Sequence, residues 1–111
     1  MEIIEEAGAF TRPTAGPSHW VERFRATDLS VGTYSIPADG VDDQTPHSED
    51  EIYIVMSGRA VLETGTGTAA VRAGSVVYVP AGERHTFTRI TEDLTLLVIF
   101  APAYGSRGTS V

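Results

Sequence analysis

The chain is 111 residues long, enough for one domain with one hydrophobic core and too short for a second catalytic domain. Its eight basic residues, all arginine, stand against fifteen acidic ones for a net charge of −7, which argues against nucleic acid and membrane surfaces as partners. With no lysine and no cysteine, Schiff-base chemistry, thiolate nucleophiles, disulfides and thiolate metal sites are all excluded.

In chain order, residues 1–18 carry Pro13, Gly16 and Pro17 without a sustained period and read as an irregular arm, docked on the sheet or on a partner through Ile3, Ile4 and Phe10. Glu2, Glu5 and Glu6 stand where a signal peptide would need basic charge, and no apolar run reaches a membrane span, so a soluble cytoplasmic protein is expected. Residues 20–27 (WVERFRAT) and 29–37 (LSVGTYSIP) read as strands, the second stopped by the turn Pro37, Ala38, Asp39, Gly40. His19 and Trp20 anchor the arm by apolar burial or line an opening.

A polar loop, residues 41–50, precedes EIYIVM at 51–56; its acids Asp42, Asp43, Glu49 and Asp50 read as a solvated run flanking His47. Ser57-Gly58 reads as a turn into RAVLET at 59–64, making one hairpin. The GTG at 65–67 is a second hairpin turn and not a phosphate cradle, because no helical pattern follows it. Strands follow at 68–72, at 75–79 (SVVYV), and at 85–90 (HTFTRI) beyond the stop Pro80, Ala81, Gly82. Thr91 to Asp93 reads as a turn before LTLLVIF at 94–100, and a frayed tail is expected over 105–111. Short alternating strands between Gly, Pro and Asp clusters make an all-β sandwich or barrel over residues 19–104.

A strand wet on one face alternates, but LTLLVIF is almost unbroken and Ile52, Ile54 and Met56 are apolar on the face opposite Glu51. Cover on both faces is therefore expected, the outer one from a second copy in a C2 homodimer.

The chemistry concentrates around two histidines. Glu51, Tyr53 and Val55 share one face of their strand, and His85, Phe87 and Arg89 one face of theirs. If these strands are neighbours in a closed sheet, His47, Glu51 and His85 converge, and two imidazoles with a carboxylate suit a divalent first-row metal: Fe, Mn, Ni, Co or Zn. The same rule turns Tyr34 or Ile36, and Val76 or Tyr78, toward that centre, so Arg89, Phe87, Tyr34 and Tyr78 are candidate substrate contacts. Arg89 either clamps a carboxylate or phosphate of a ligand, or sits at the barrel mouth paired with Glu83, Glu92 or Asp93. Phe87 and Tyr53 also serve as core packing.

Gly74, Pro80, Gly82 and His85 (GSVVYVPAGERH) reproduce the second motif of the cupin superfamily, GxxxxxPxG and then His, with Arg89 in place of its terminal Asn. Gly40, His47, Glu51 and Gly58 meet the first motif in part, its first His falling on Thr45. The chain thus resembles a small single-domain cupin, directly over residues 40–89 and by strand count throughout. The resemblance implies a cupin-type double-stranded β-helix (jelly-roll) barrel with His47, Glu51 and His85 as metal ligands. At the remaining position Gln44, next to Thr45, can offer an amide oxygen, or water can fill it and three protein ligands suffice. The function so implied is that of a metal-dependent enzyme of the oxygenase, isomerase or decarboxylase type, acting on a small oxygenated or anionic molecule, with Tyr53 or Glu51 available for proton transfer. The alternative is a non-catalytic module binding a metabolite or sugar in the same cavity.

Overall fold

The computed structural model describes residues 1–107, whose regular structure is six strands and no helix. The strands are β1 (His19–Arg25), β2 (Ser30–Ile36), β3 (Asp50–Thr64), β4 (Gly67–Arg72), β5 (Val76–Val79) and β6 (His85–Ala101). All pairings are antiparallel in the order β1-β2-β6-β3-β4, with β5 on the first half of β3. Among these residues no helix is long and apolar enough to cross a membrane.

Two strands are much longer than the sequence pattern suggests. Ser57-Gly58 and Thr91 to Asp93 are not hairpin turns: they lie inside β3 and β6, opposite one another, with Ser57 paired to Thr95 and Arg59 to Glu92. Both are bulged, and the bulges bend the two strands together. Each half of the β3–β6 ladder then carries its own neighbours, β5 and β2 on one side of the bend and β4 on the other. This wraps two sheets around one core.

The bend also resets which residues face inward. Before it, Glu51, Tyr53 and Val55 are buried; after it, Ala60 and Leu62 are. Gly58 makes the switch at φ +97°, with the carbonyl oxygen of Asp93 2.3 Å from where a Cβ would stand. In β6 the register Val61 to Thr88 and Arg59 to Glu92 leaves two extra residues between the pairs, so alternation counted from His85 fails after Thr88. Arg89, at φ +49°, is exposed, and Ile90 is buried in its stead.

The core is Tyr34, Ile36, Tyr53, Val55, Leu62, Phe87, Leu94, Leu96, Val98 and Phe100, with Trp20 packed against it. The arm lies on the outside of β2: the Thr33 hydroxyl donates to the Ala7 carbonyl at 2.6 Å, and Thr11 N–H donates to Ser35 Oγ at 3.0 Å. Of the tail expected from Gly105, residues 105–107 form a turn in which Arg107 donates to the Ser48 carbonyl at 3.1 Å; the remainder lies outside the described residues.

Candidate metal centre

Glu51 enters β3 on its inward parity, and His85 opens β6 at the far end of the same ladder, in register with Thr64. The turn at Pro80 to Gly82 links them, because Gly82 N–H donates to the His47 carbonyl at 2.7 Å and Ala81 N–H to Asp50 Oδ1 at 2.9 Å. Gly82 sits at φ +79°, a conformation that costs glycine little and lets the chain turn back toward the barrel. One ligand atom from each of His47, Glu51 and His85 then lies within 4.8 Å of the others. Metal bonds of about 2.1 Å span roughly 4.2 Å across an ion, so small side-chain shifts suffice to bring all three onto one metal.

The hydrogen bonds define what this cluster lacks. His85 Nδ1 is 2.8 Å from the Glu83 carbonyl, which can only accept, so Nδ1 carries a proton and Nε2 is left as the atom that takes up a second proton or a metal ion. Facing Nε2 are Glu51 Oε1 at 3.1 Å and Gln44 Oε1 at 3.2 Å, both acceptors. The His85 and Glu51 side chains are 1% and 2% exposed, and Glu51 Oε1 receives no aligned hydrogen bond. Buried acceptors converging in this way call for a positive charge among them, a proton or a metal ion. The donor set of two imidazoles and a carboxylate fits a divalent transition metal.

The same environment governs the titrating groups. Burial lowers the pKa of His47, outweighing the pull of Glu51, so its ring is neutral and competent as a ligand. For His85, burial acts downward too, but the close Glu51 carboxylate and the hydrogen bond to the Glu83 carbonyl prevail and the pKa is raised. Burial, with Glu51 and Asp42 nearby, holds the Tyr53 hydroxyl protonated well above the usual phenol range; Tyr34 is shifted upward by burial and Asp42.

Beside the cluster opens a cavity of about 240 Å³ whose lining includes Trp20, Tyr34, Asp43, His47, Tyr53 and Tyr104. On the other side of Gln44, Thr45 and His85 lies a wider groove of about 460 Å³ bordered by Glu63, Arg84 and Thr86. The loop before β3 therefore crosses the mouth with space on either side of it.

The family model described as Cupin domain matches residues 32–100, which include both histidines and the glutamate. The chain belongs to the cupin family. An uncharacterized protein of Streptomyces coelicolor is 47% identical over 88 residues, 79% of this cupin and 84% of that protein. Among solved structures, a conserved Klebsiella pneumoniae protein with a double-stranded β-helix domain superposes with a TM-score of 0.78 at 19% identity, covering 92% of this chain and 91% of that one. The DMSP lyase DddQ of Ruegeria pomeroyi superposes with a TM-score of 0.72 at 20% identity, covering 85% of this chain and 50% of that one. The two structural likenesses establish the fold, a double-stranded β-helix.

Within this cupin the candidate residues fall into two groups. His47, Glu51, His85, Gln44, Tyr53 and Tyr34 surround the centre or its cavity. Arg89, Tyr78 and Phe87 do not border it. Arg89 points outward because of the β6 bulge, and two of its expected partners are engaged elsewhere, Glu92 with Arg59 at 3.3 Å and Asp93 with Arg12 at 3.1 Å. Tyr78 is 57% exposed on the outer face, since the pairing of Glu51 with Val79 and Tyr53 with Val77 sends the odd-numbered residues of β5 inward. Phe87 is buried edge-on to Tyr53, ring centroids 5.0 Å apart, and is core packing only. Sequence reasoning missed Tyr104, whose ring packs on Phe100 and His47, and Asp42, which lies inside the loop as a hydrogen-bond anchor rather than in solvent. No pattern in the string separates Asp42 from Asp43.

Proposed function

We propose that this cupin is a metal-dependent enzyme acting on a small oxygenated organic molecule, with His47, Glu51 and His85 as the protein ligands of a divalent first-row metal. The observation that carries the reading is the convergence of ligand atoms from His47, Glu51 and His85 within 4.8 Å, where a buried Glu51 oxygen faces His85 Nε2 at 3.1 Å. When bound, the metal supplies Lewis acidity and a platform for one or two substrate oxygens. Tyr53, buried and lining the cavity with its hydroxyl kept protonated, is the candidate hydrogen-bond donor to a substrate oxygen, and Glu51, the neighbouring carboxylate, is the candidate for proton transfer. Among the described residues no arginine lines this cavity, so the metal is the one positive charge offered to an anionic substrate, whereas a neutral oxygenated one needs no further charge. The walls from Trp20, Tyr34, Phe100 and Tyr104 supply apolar contact to its carbon skeleton.

Metal content of untagged protein by emission spectrometry, followed by a turnover screen of small oxygenated metabolites with and without chelator, tests this reading. The expected result is close to one transition metal per chain and chelator-sensitive turnover. Metal-independent binding without turnover would replace the enzyme by the binding module, and an absence of metal at any loading would overturn the metal centre.

Self-association belongs to the same proposal. Outside the barrel, Val31, Ile99, Ile52 and Tyr78 form one row across β2, β6, β3 and β5, and Leu97, Ile54 and Val76 the next. Val76 is 64% exposed and Tyr78 57%, so the β5 end of these rows is left open by the arm that lies on β2. Light scattering at micromolar concentration should give a dimer mass, and Ile54→Arg, at the centre of these rows, a monomer. A wild-type monomer would remove the dimer.

A further inference from the structure

We infer that Asp42 is a positioning residue that fixes the side chain of Gln44 so that its oxygen, and not its nitrogen, is the fourth protein donor at the metal centre. The inference rests on the metal-centre reading and adds to it a ligand and the residue that orients it. Asp42 touches none of the three cluster residues through the bonds that hold it: its Oδ1 accepts from the Tyr34 hydroxyl at 2.6 Å and from Gln44 N–H at 3.1 Å, while Oδ2 accepts from Gln44 Nε2 at 2.6 Å and from Phe87 N–H at 2.8 Å.

An ionised carboxylate only accepts hydrogen bonds, so the half of the Gln44 amide that meets it must be the NH₂ group. The carbonyl half is thereby turned the other way. There it receives the Tyr53 hydroxyl at 2.7 Å and stands 3.2 Å from His85 Nε2, the atom that also faces Glu51. The carboxylate, which only accepts, selects this orientation, and the Tyr53 hydroxyl is satisfied in it as a donor to the oxygen. A flipped amide would set its oxygen 2.6 Å from the Asp42 carboxylate, acceptor against acceptor.

The neighbouring Thr45, which occupies the first-histidine position of the motif, is exposed, and Gln44 is half-buried with its side chain directed inward. The site thus has an oxygen where a third imidazole is expected. Because an amide oxygen is a weak neutral donor, its usefulness depends on being held in place, and Asp42 provides the hold.

The test is a titration with Co²⁺ alone, followed by the visible absorption of the ion, which reports its donor set as well as its affinity. Wild type should bind one Co²⁺, and His85→Ala should not. Asp42→Asn should weaken binding about 10- to 100-fold and shift the absorption bands, because asparagine can turn its own NH₂ to the amide and release the orientation. Gln44→Leu, which leaves Asp42 intact, should weaken binding to the same degree. The double variant Asp42→Asn with Gln44→Glu should return to within a few-fold of wild type, since a carboxylate offers oxygen from either end and asparagine can donate to it. A merely structural Asp42 predicts no such rescue. Wild-type affinity and spectrum in Gln44→Leu, or a double variant as weak as Asp42→Asn, would overturn the inference while leaving the three-residue centre standing. Failure of wild type to bind Co²⁺ would overturn the centre itself.

Discussion

Replacing His85 by alanine is expected to lower the affinity for a divalent transition metal by at least about 100-fold, more than the loss of an outer partner that only orients a ligand. The substitution removes the imidazole nitrogen that lies between Glu51 Oε1 at 3.1 Å and Gln44 Oε1 at 3.2 Å, so the remaining acceptors no longer share a focus. The effect should also appear in stability. With metal at about 100 times its dissociation constant, binding to the folded state stabilises wild type by roughly 2.7 kcal/mol, which for a domain of this size corresponds to a rise in Tm on the order of 10 °C. That metal-dependent rise should vanish in His85→Ala and persist in His19→Ala, because His19 lies outside the cluster. A metal-dependent rise of equal size in wild type and His85→Ala would refute the assignment.

The pH dependence of the same titration has a definite sign. Metal binding requires Nε2 of His85 free of its proton, and contact with Glu51 and with the Glu83 carbonyl raises this group's pKa despite its burial. Apparent affinity should therefore climb with pH through and above the ordinary imidazole range. His47, whose pKa is lowered chiefly by burial, adds competition only at more acidic pH.

Gly58→Ala should be the most destabilising small substitution in the barrel, by about 3 kcal/mol or more. At φ +97° a side chain is strained in any surroundings, and here the added Cβ would meet the Asp93 carbonyl oxygen at 2.3 Å and the Leu94 Cα at 2.8 Å. These are backbone atoms of the paired strand and cannot rotate aside. Relief requires opening the ladder at the bend, where inward parity passes from Val55 to Ala60. Urea unfolding should show a large drop in midpoint, whereas Gly65→Ala, with open space around its Cβ, should stay within about 1 kcal/mol of wild type. Equal midpoints for the two variants would show that the bend tolerates a side chain.

Part of the centre is legible in the string through parity within short, regular stretches, and His47, which lies in a loop, through the resemblance to the cupin motifs. Glu51 and Tyr53 share a face, as do His85 and Phe87, and no bulge falls between the members of either pair. Arg89 is four residues beyond His85, which is far enough for the β6 bulge to reverse the count. Tyr78 or Val76 was one of two possible parities, and only pairing with an inward Glu51 and Tyr53 decides for Val77 and Val79. The Ser57-Gly58 and Thr91 to Asp93 segments carry turn residues, yet each is paired against the other across the ladder, which turns two apparent hairpins into one shared bend.

The amino-acid sequence alone determined the all-β class and the absence of lysine and cysteine chemistry, because these depend on residue type and on side-chain alternation over a few positions, while the grouping of His47, Glu51 and His85 rested on the resemblance to the two cupin motifs. Tertiary structure alone decided that Glu51 Oε1 is left without a donor, that Asp42 turns the Gln44 oxygen inward, and that Arg89 and Tyr78 leave the barrel. Those outcomes depend on strand register and on hydrogen bonds between residues as much as 45 positions apart, such as that from Phe87 N–H to Asp42, and local periodicity carries no information about either.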